Sequence, residues 1–185
     1  MNSEFQTIYS VNLLIRPLES RDLPLKVNWF NDPDISSTLI LDEPLELDKT
    51  IRWFEKIKNE SSRIDWVIED KKNHPIGLIS LVGIDRVQKS AEIFIVIGEK
   101  DYWGKGVMLE AETTAIKWAF DVLSLDKIWA HARADNIASI ITMKKLGFMI
   151  NKALTKEQII KGQKVDILHF DLLRGDFKLA SANEK

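Results

Sequence analysis

A chain of 185 residues, 45% apolar and 29% charged, has the balance of a single domain large enough for a real core. Its formal charge of −2 gives no basic excess for a nucleic-acid backbone, and the absence of cysteine excludes disulfides, thiolate metal sites and a cysteine acyl-enzyme. No basic stretch followed by a long apolar run opens the chain, and no run reaches the roughly eighteen apolar residues of a membrane span, so the expectation is a cytoplasmic protein with neither nucleic acid nor membrane as partner.

Residues 11–17 are a short apolar run stopped by proline and read as a strand. Ser20 or Asp22 caps the helix that follows to about Asn31, with Pro24 in its first turn. Asn31-Asp32-Pro33-Asp34 is a dense turn signal. Leu47, Ile51, Phe54 and Ile57 recur at helical spacing and predict an amphipathic helix over 48–59, capped by Asp48. Strands are expected over 64–69, 75–82 and 91–97, the first two joined by Asp70-Lys71-Lys72-Asn73. In the third, Ala91, Ile93, Ile95 and Ile97 share one face and Glu92, Phe94 and Val96 the other, which leaves one carboxylate in a mostly apolar strand.

Ala111, Ala115, Trp118, Ala119 and Val122 repeat at helical spacing, predicting a helix over 107–122. A strand over 127–132 follows, and strand, loop, helix, strand is a parallel crossover unit. Residues 136–146 form a second helix, opened by Asp135 or Asn136 and closed by Gly147, with Phe148 supplying the apolar contact of such a cap. Strands near 148–153 and 165–172 complete one domain over 1–185, with residues 1–10 and 178–185 frayed.

Trp103-Gly104-Lys105-Gly106-Val107-Met108 lies between a strand and a helix. Two glycines allow a tight turn in which backbone N–H groups converge beside a helix N-terminus, an arrangement that binds phosphate. The nucleotide-hydrolase loop is absent because it needs four residues between its glycines followed by Lys-Ser or Lys-Thr. The dinucleotide fingerprint fails because Leu109 stands at its third glycine.

This loop resembles the acetyl-CoA loop Arg/Gln-x-x-Gly-x-Gly/Ala of the GCN5-related N-acetyltransferases (GNAT), with Trp103 at its first position and Gly106 at its first named glycine. Asn136-Ile137-Ala138-Ser139 with Lys145-Leu146-Gly147-Phe148 resembles the family's Asn-x-x-Ser and Lys-Leu-Gly-Phe helix. The details, including Trp29-Phe30-Asn31-Asp32-Pro33 and Ala91-Glu92-Ile93, are similar to the branch of ribosomal-protein N-terminal and spermidine acetyltransferases. The resemblance implies a mixed α/β (α+β) fold: a central, mostly antiparallel sheet of six or seven strands with a splayed parallel pair, flanked by about four helices.

It also implies acetyl-CoA as cosubstrate and direct acetyl transfer to a primary amine. The expected cofactor-binding residues are Ile95, Val96 and Ile97, through backbone N–H groups, then Trp103, Gly104, Lys105, Gly106, Val107, Met108 and Asn136. An alkyl ammonium is only about one part in a thousand neutral at pH 7, so a base helps, and Glu92 is the candidate. The alternative for Glu92 is a structural carboxylate. Two residues depart from the family pattern. Met108 stands where the loop usually has glycine or alanine. Met143 takes the place of a tyrosine that protonates the leaving thiolate, and methionine donates no proton. Ser139 is the remaining donor, with a helix first-turn role as its alternative.

The segment 31–46 shapes the acceptor pocket in this family, which makes Trp29, Asn31 and Asp32 candidates for substrate binding. Its acids could steer a cationic amine or simply form a solvated loop. The leading acceptor is a protein or peptide N-terminal amine, followed by a polyamine or amino sugar. A reading of another class is a catalytically inactive acetyl-CoA sensor or interaction protein, motivated by Met108 and Met143. His131 reads as a packed or hydrogen-bonded residue, and His74 and His169 stand apart without ligand spacing, so no metal is expected. A C-terminal strand or sheet edge offers a route to a homodimer.

Overall fold

Three alternating apolar segments with turn residues between them build an antiparallel meander, and a computed structural model, describing residues 6–179, extends it into one nine-stranded sheet. The strands are β1 (Ile8–Tyr9), β2 (Leu14–Pro17), β3 (Arg63–Glu69), β4 (Pro75–Asp85), β5 (Ser90–Ile97), β6 (Lys127–Arg133), β7 (Met149–Ile150), β8 (Lys156–Ile160) and β9 (Gln163–Leu173). They lie in the order β1-β2-β3-β4-β5-β6-β9-β7, with β8 also paired to β9. Without the two-residue β1 and β7, seven strands remain. All pairings are antiparallel except β5 with β6.

The helices are α1 (Leu23–Asn31), the single turn α2 (Pro33–Ser36), α3 (Leu47–Ile57), α4 (Val107–Asp121) and α5 (Ile137–Leu146). The period-2 pattern of β5 sorts its side chains between two cores. Ala91, Ile93 and Ile97 join the core that α4 and α5 cover, built around Trp66, Ile116 and Phe170. Val96 joins the second core, with Leu23, Phe30 and Ile35 of α1 and α2. A third, small cluster of Ile160, Val165 and Ile167 belongs to the β8–β9 hairpin alone.

One parallel pairing creates the site. β5 and β6 pair only at Ser90↔Lys127, Ala91↔Ile128 and Glu92↔Trp129, after which the strands part. The β6-facing edge of β5 beyond Glu92 is therefore open in the middle of the sheet.

Several boundaries differ from the sequence expectation. Asn31 ends α1, and Asp32 caps α2 by accepting the Asp34 N–H at 2.9 Å, so the expected turn carries a helical turn of its own. The cap of α3 is Glu46 rather than Asp48: Glu46 is extended and its carbonyl accepts the Thr50 N–H at 2.9 Å. Asp48 instead sits in the first turn, where a negative charge meets the positive helix end. The strand expected over 148–153 shrinks to Met149–Ile150, and β8 is additional, joined to β9 by Lys161 and Gly162 at φ 50° and 75°. Those angles fit a two-residue hairpin turn.

Of the expected frayed ends, residues 1–5 and 180–185 lie outside the described residues. Ile8 is buried and pairs with Ile15, and the Lys178 N–H donates to the Leu146 carbonyl at 3.0 Å, so both flanks are tied down further out than expected. Beside them, Arg16 is buried in a three-residue ion cluster, donating to Asp22 Oδ2 and Glu69 Oε1 at 2.7 Å each.

Candidate active site

The glycine loop leads into α4 with Gly104 and Gly106 at φ 71° and 79°, a left-handed conformation that glycine adopts without Cβ strain. Gly106 is the helix N-cap, so the first N–H groups of α4 lack intrahelical acceptors and present a positive end. A cavity of about 420 Å³ opens here, bounded by Ile95–Ile97 of β5, Trp103, Gly104, Gly106, Met108 and the first turns of α5. Trp103 is held in its wall by an indole N–H donated to the Ile97 carbonyl at 3.0 Å. Tyr102, also in the wall, donates to Asp70 at 2.6 Å, and that bond helps hold the Asp70 carboxyl down at about 2. Met108 is half-buried against the core as well as lining the cavity, so its side chain does not fill the groove. Lys105 is exposed and lies outside the wall.

A second cavity of about 310 Å³ lies across the gap between β5 and β6. Thr38, Leu39, Ile95, Asn136 and Ser139 line both cavities, so the two meet at those residues. Asn136 caps α5 by accepting the Ser139 N–H at 3.2 Å, a bond of about 1 kcal/mol, and Ser139 occupies the first turn thus fixed. Glu92 and Met143 line the second cavity.

Glu112 of α4 also faces this cavity and is 3% exposed, with Oε2 lacking any hydrogen-bond partner. Burial pushes its carboxyl up to about 8. An acid in the helix's buried stripe beside Ile116 and Ala119 was the signal in the sequence that could have found it.

Glu92 does not stand alone. Its Oε1 lies 3.2 Å from His131 Nδ1, His131 Nε2 lies 3.1 Å from His169 Nδ1, and His169 Nε2 lies 3.1 Å from Asp171 Oδ1. The two histidines face each other because β6 and β9 pair with His131↔His169 in register. Asp171 also receives Lys127 at 2.6 Å and Asn151 at 2.8 Å. Partial burial would raise the Asp171 carboxyl, and these bonds with that of His169 hold it below the usual range instead.

Three expected substrate contacts are not brought to either cavity. Trp29 is buried flat against Gly98, where a Cβ would come within 2.1 Å of the ring, and its indole N–H donates to Glu99 at 2.9 Å. Asn31 clamps the backbone of Leu45 through bonds of 2.8 and 2.7 Å. Asp32 and Asp34 are neutralised by Lys100 at 2.9 and 2.7 Å, and Asp42 accepts the Lys161 N–H. The 31–46 segment contributes to the cavities through Ile35, Thr38, Leu39 and Ile40 instead of its acids.

Residues 12–149 match the family model for the acetyltransferase (GNAT) domain. The chain belongs to the GNAT family. It is an acetyl-CoA-dependent N-acetyltransferase by family, and its fold is the GNAT fold. Its sequence is similar to a spermidine N(1)-acetyltransferase of Vibrio cholerae, 28% identical over 89% of this chain and 95% of that one. It is also similar to the spermidine N(1)-acetyltransferase of Escherichia coli, 31% identical over 80% of this chain and 79% of that one. The crystal structure of the Vibrio cholerae spermidine N-acetyltransferase with CoA and spermine superposes with a TM-score of 0.83 at 28% identity, over 90% of this chain and 98% of that one.

Proposed function

We propose that this GNAT enzyme acetylates a primary amine of a small polyamine, with Glu92 as the base. The peptide N-terminus that leads on sequence alone gives way here, because the relatives compared above are named for spermidine and match along most of the chain. The observation that carries the reading is the second cavity, which joins two carboxyl groups, Glu92 and Glu112, to apolar walls from Leu39, Ile40, Phe94 and Ile167. A slender alkyl chain with cationic nitrogens matches Glu92 set between apolar walls, and Glu112, which keeps its proton below about pH 8, adds a neutral hydrogen-bonding group to the same cavity. Of the cations that also line it, Arg133 is neutralised by Asp135 at 2.7 Å, leaving Lys156 as a positive group on the wall.

The first cavity fits coenzyme A on this chain's own geometry. Its glycine loop has open space around both glycines, a free helix N-terminus suits a pyrophosphate, and the groove suits a narrow arm. Acetyl-CoA supplies an acetyl group activated as a thioester. Gly104, Gly106 and the first amides of α4 would hold its phosphates, and Asn136 the arm. The open edge of β5 at Ile95–Ile97 offers backbone donors for the carbonyl oxygen as it gains charge. Glu92 takes a proton from the ammonium so that the nitrogen lone pair is free to attack, and Ser139 lies where the cavities meet.

The test is a thiol-release assay with spermidine, spermine, a peptide N-terminal amine and an amino sugar at equal concentration. The expected result is kcat/KM for a polyamine at least tenfold above the others. Preference for the peptide or the amino sugar would overturn the acceptor assignment. Acetyl-CoA binding with no thiol release from any amine would support the inactive sensor.

A further inference from the structure

The hydrogens of the Glu92–His131–His169–Asp171 chain can be counted. An ionised carboxylate only accepts, and a neutral imidazole brings one N–H. Three contacts in a row between two carboxylates need three hydrogens, and two neutral histidines bring two. Lys127 and Asn151 keep Asp171 ionised, so His169 gives its one hydrogen to Asp171 and His131 gives its own to His169. The contact left without a hydrogen is the one between His131 Nδ1 and Glu92, on the side of the reaction cavity. Uptake of one proton at Glu92 fills it and completes the chain.

We infer that these four residues form a proton relay that takes the proton released by the acceptor ammonium and carries it across one face of the sheet to Asp171. The inference rests on the reading of Glu92 as the base. In the transfer the nitrogen–carbon bond forms, the carbon–sulfur bond breaks, and the nitrogen loses two protons. The departing thiolate ends with one. The other passes from Glu92 to His131 Nδ1, the hydrogen on His131 Nε2 moves to His169 Nδ1, and the charge rests on His169 against Asp171. Glu92, 27% exposed, lines the cavity that the bound amine covers, and the Asp171 side chain, 21% exposed, gives the proton its way to solvent once that end is covered.

The surroundings suit this role. Trp129 stacks on His169 at 5.5 Å and 15° and meets His131 edge-on at 5.2 Å, so both rings are held in orientation. The other charged groups around it are Lys127 on β6, paired with Asp171, and, lining the same cavity as Glu92 and His131, Arg133 on β6, paired with Asp135, Lys156 on β8 and Glu112 on α4. Among the described residues no group of three or more His, Cys, Asp or Glu side chains is arranged to hold a metal ion.

The experiment is kcat against pH from 6.5 to 10, with a polyamine acceptor, for the wild type and His169→Asn. At pH 7 the variant should be about ten- to a hundredfold slower with an unchanged KM for acetyl-CoA, and the deficit should close towards pH 10, where the amine arrives already neutral. A deficit that stays constant across pH, or none at all, would overturn the relay. A readout independent of turnover is ¹⁵N NMR of the histidine rings. His131 and His169 should titrate as a coupled pair, and Glu92→Gln should displace the titration of His169 although the two do not touch. Independent titrations would refute the relay even if His169→Asn failed to fold. Should the wild type acetylate no amine, the proposed function fails while the NMR still decides the relay.

Discussion

Glu112→Gln isolates a buried carboxyl whose proton is bound far more tightly in the folded chain than in the unfolded one. Burial moves it from an ordinary 4.5 to about 8, and one oxygen has no partner to offset the loss of water. Because the folded value is raised, the contribution to stability is fully present below the unfolded value and is lost as pH climbs towards 8. Between pH 5 and pH 8 the unfolded chain has released this proton and the folded one has kept it. Stability should therefore fall by about 1.4 kcal/mol per pH unit, or about 4 kcal/mol over that interval. All other groups titrate alike in the two proteins, so the difference between wild type and variant reports Glu112. Urea unfolding at pH 5, 6, 7, 8 and 9 should show the variant gaining on the wild type by about that amount up to pH 8 and then levelling. A stability difference that did not change with pH would refute the reasoning, because it would mean that Glu112 is ionised inside the fold or solvated in its cavity.

Glu92→Gln should lower kcat at pH 7 by about 10²- to 10⁴-fold while leaving CoA affinity in isothermal calorimetry unchanged. Gly106→Ala puts a side chain at φ 79°, a strain of about 1–2 kcal/mol with no steric clash, and should appear both as a lower melting temperature and as a smaller thermal shift with CoA. Lys156→Gln removes a positive group from the acceptor wall. If the acceptor is a polycation its KM should fall about fivefold, the equivalent of about 1 kcal/mol, and a KM that rose would contradict the polyamine reading. Arg16→Met leaves Asp22 and Glu69 buried without their partner and should cost about 3–5 kcal/mol in chemical denaturation, with little effect on the KM for acetyl-CoA.

The sequence carried the frame of this site wherever chemistry is local. Gly104 and Gly106 announce a turn whose backbone angles few other residues adopt, and Asn136 and Gly147 announce both ends of α5. Alternation in 91–97 assigned each β5 side chain to its face, including Glu92. What could not be read was register. Both β6 and β9 are legible as strands, but a slip of one residue would send His131 and His169 to opposite faces, and no local signal fixes that alignment. The acids of 31–46 misled for a related reason: Lys100, which neutralises Asp32 and Asp34, lies 68 and 66 residues further along the chain from them, respectively. The β8 strand was missed because its turn is Lys161-Gly162, outside the usual Asn-Gly and Asp-Gly signals.

The β8–β9 hairpin packs Ile160, Val165 and Ile167 into a cluster of their own, and Lys156, Gln158 and Ile167 line the second cavity from it. On the proposed function, selectivity is housed partly in β8, whose buried Ile160 belongs to that separate cluster, while β9 gives Phe170 and Leu172 to the main core. On that reading, substitutions in β8 would redirect the enzyme to a new amine while the acetyl-handling half of the molecule keeps its shape. A library confined to residues 156–160 would explore acceptor range at small cost to folding, and descendants of one such ancestor could diverge in substrate while remaining alike everywhere else.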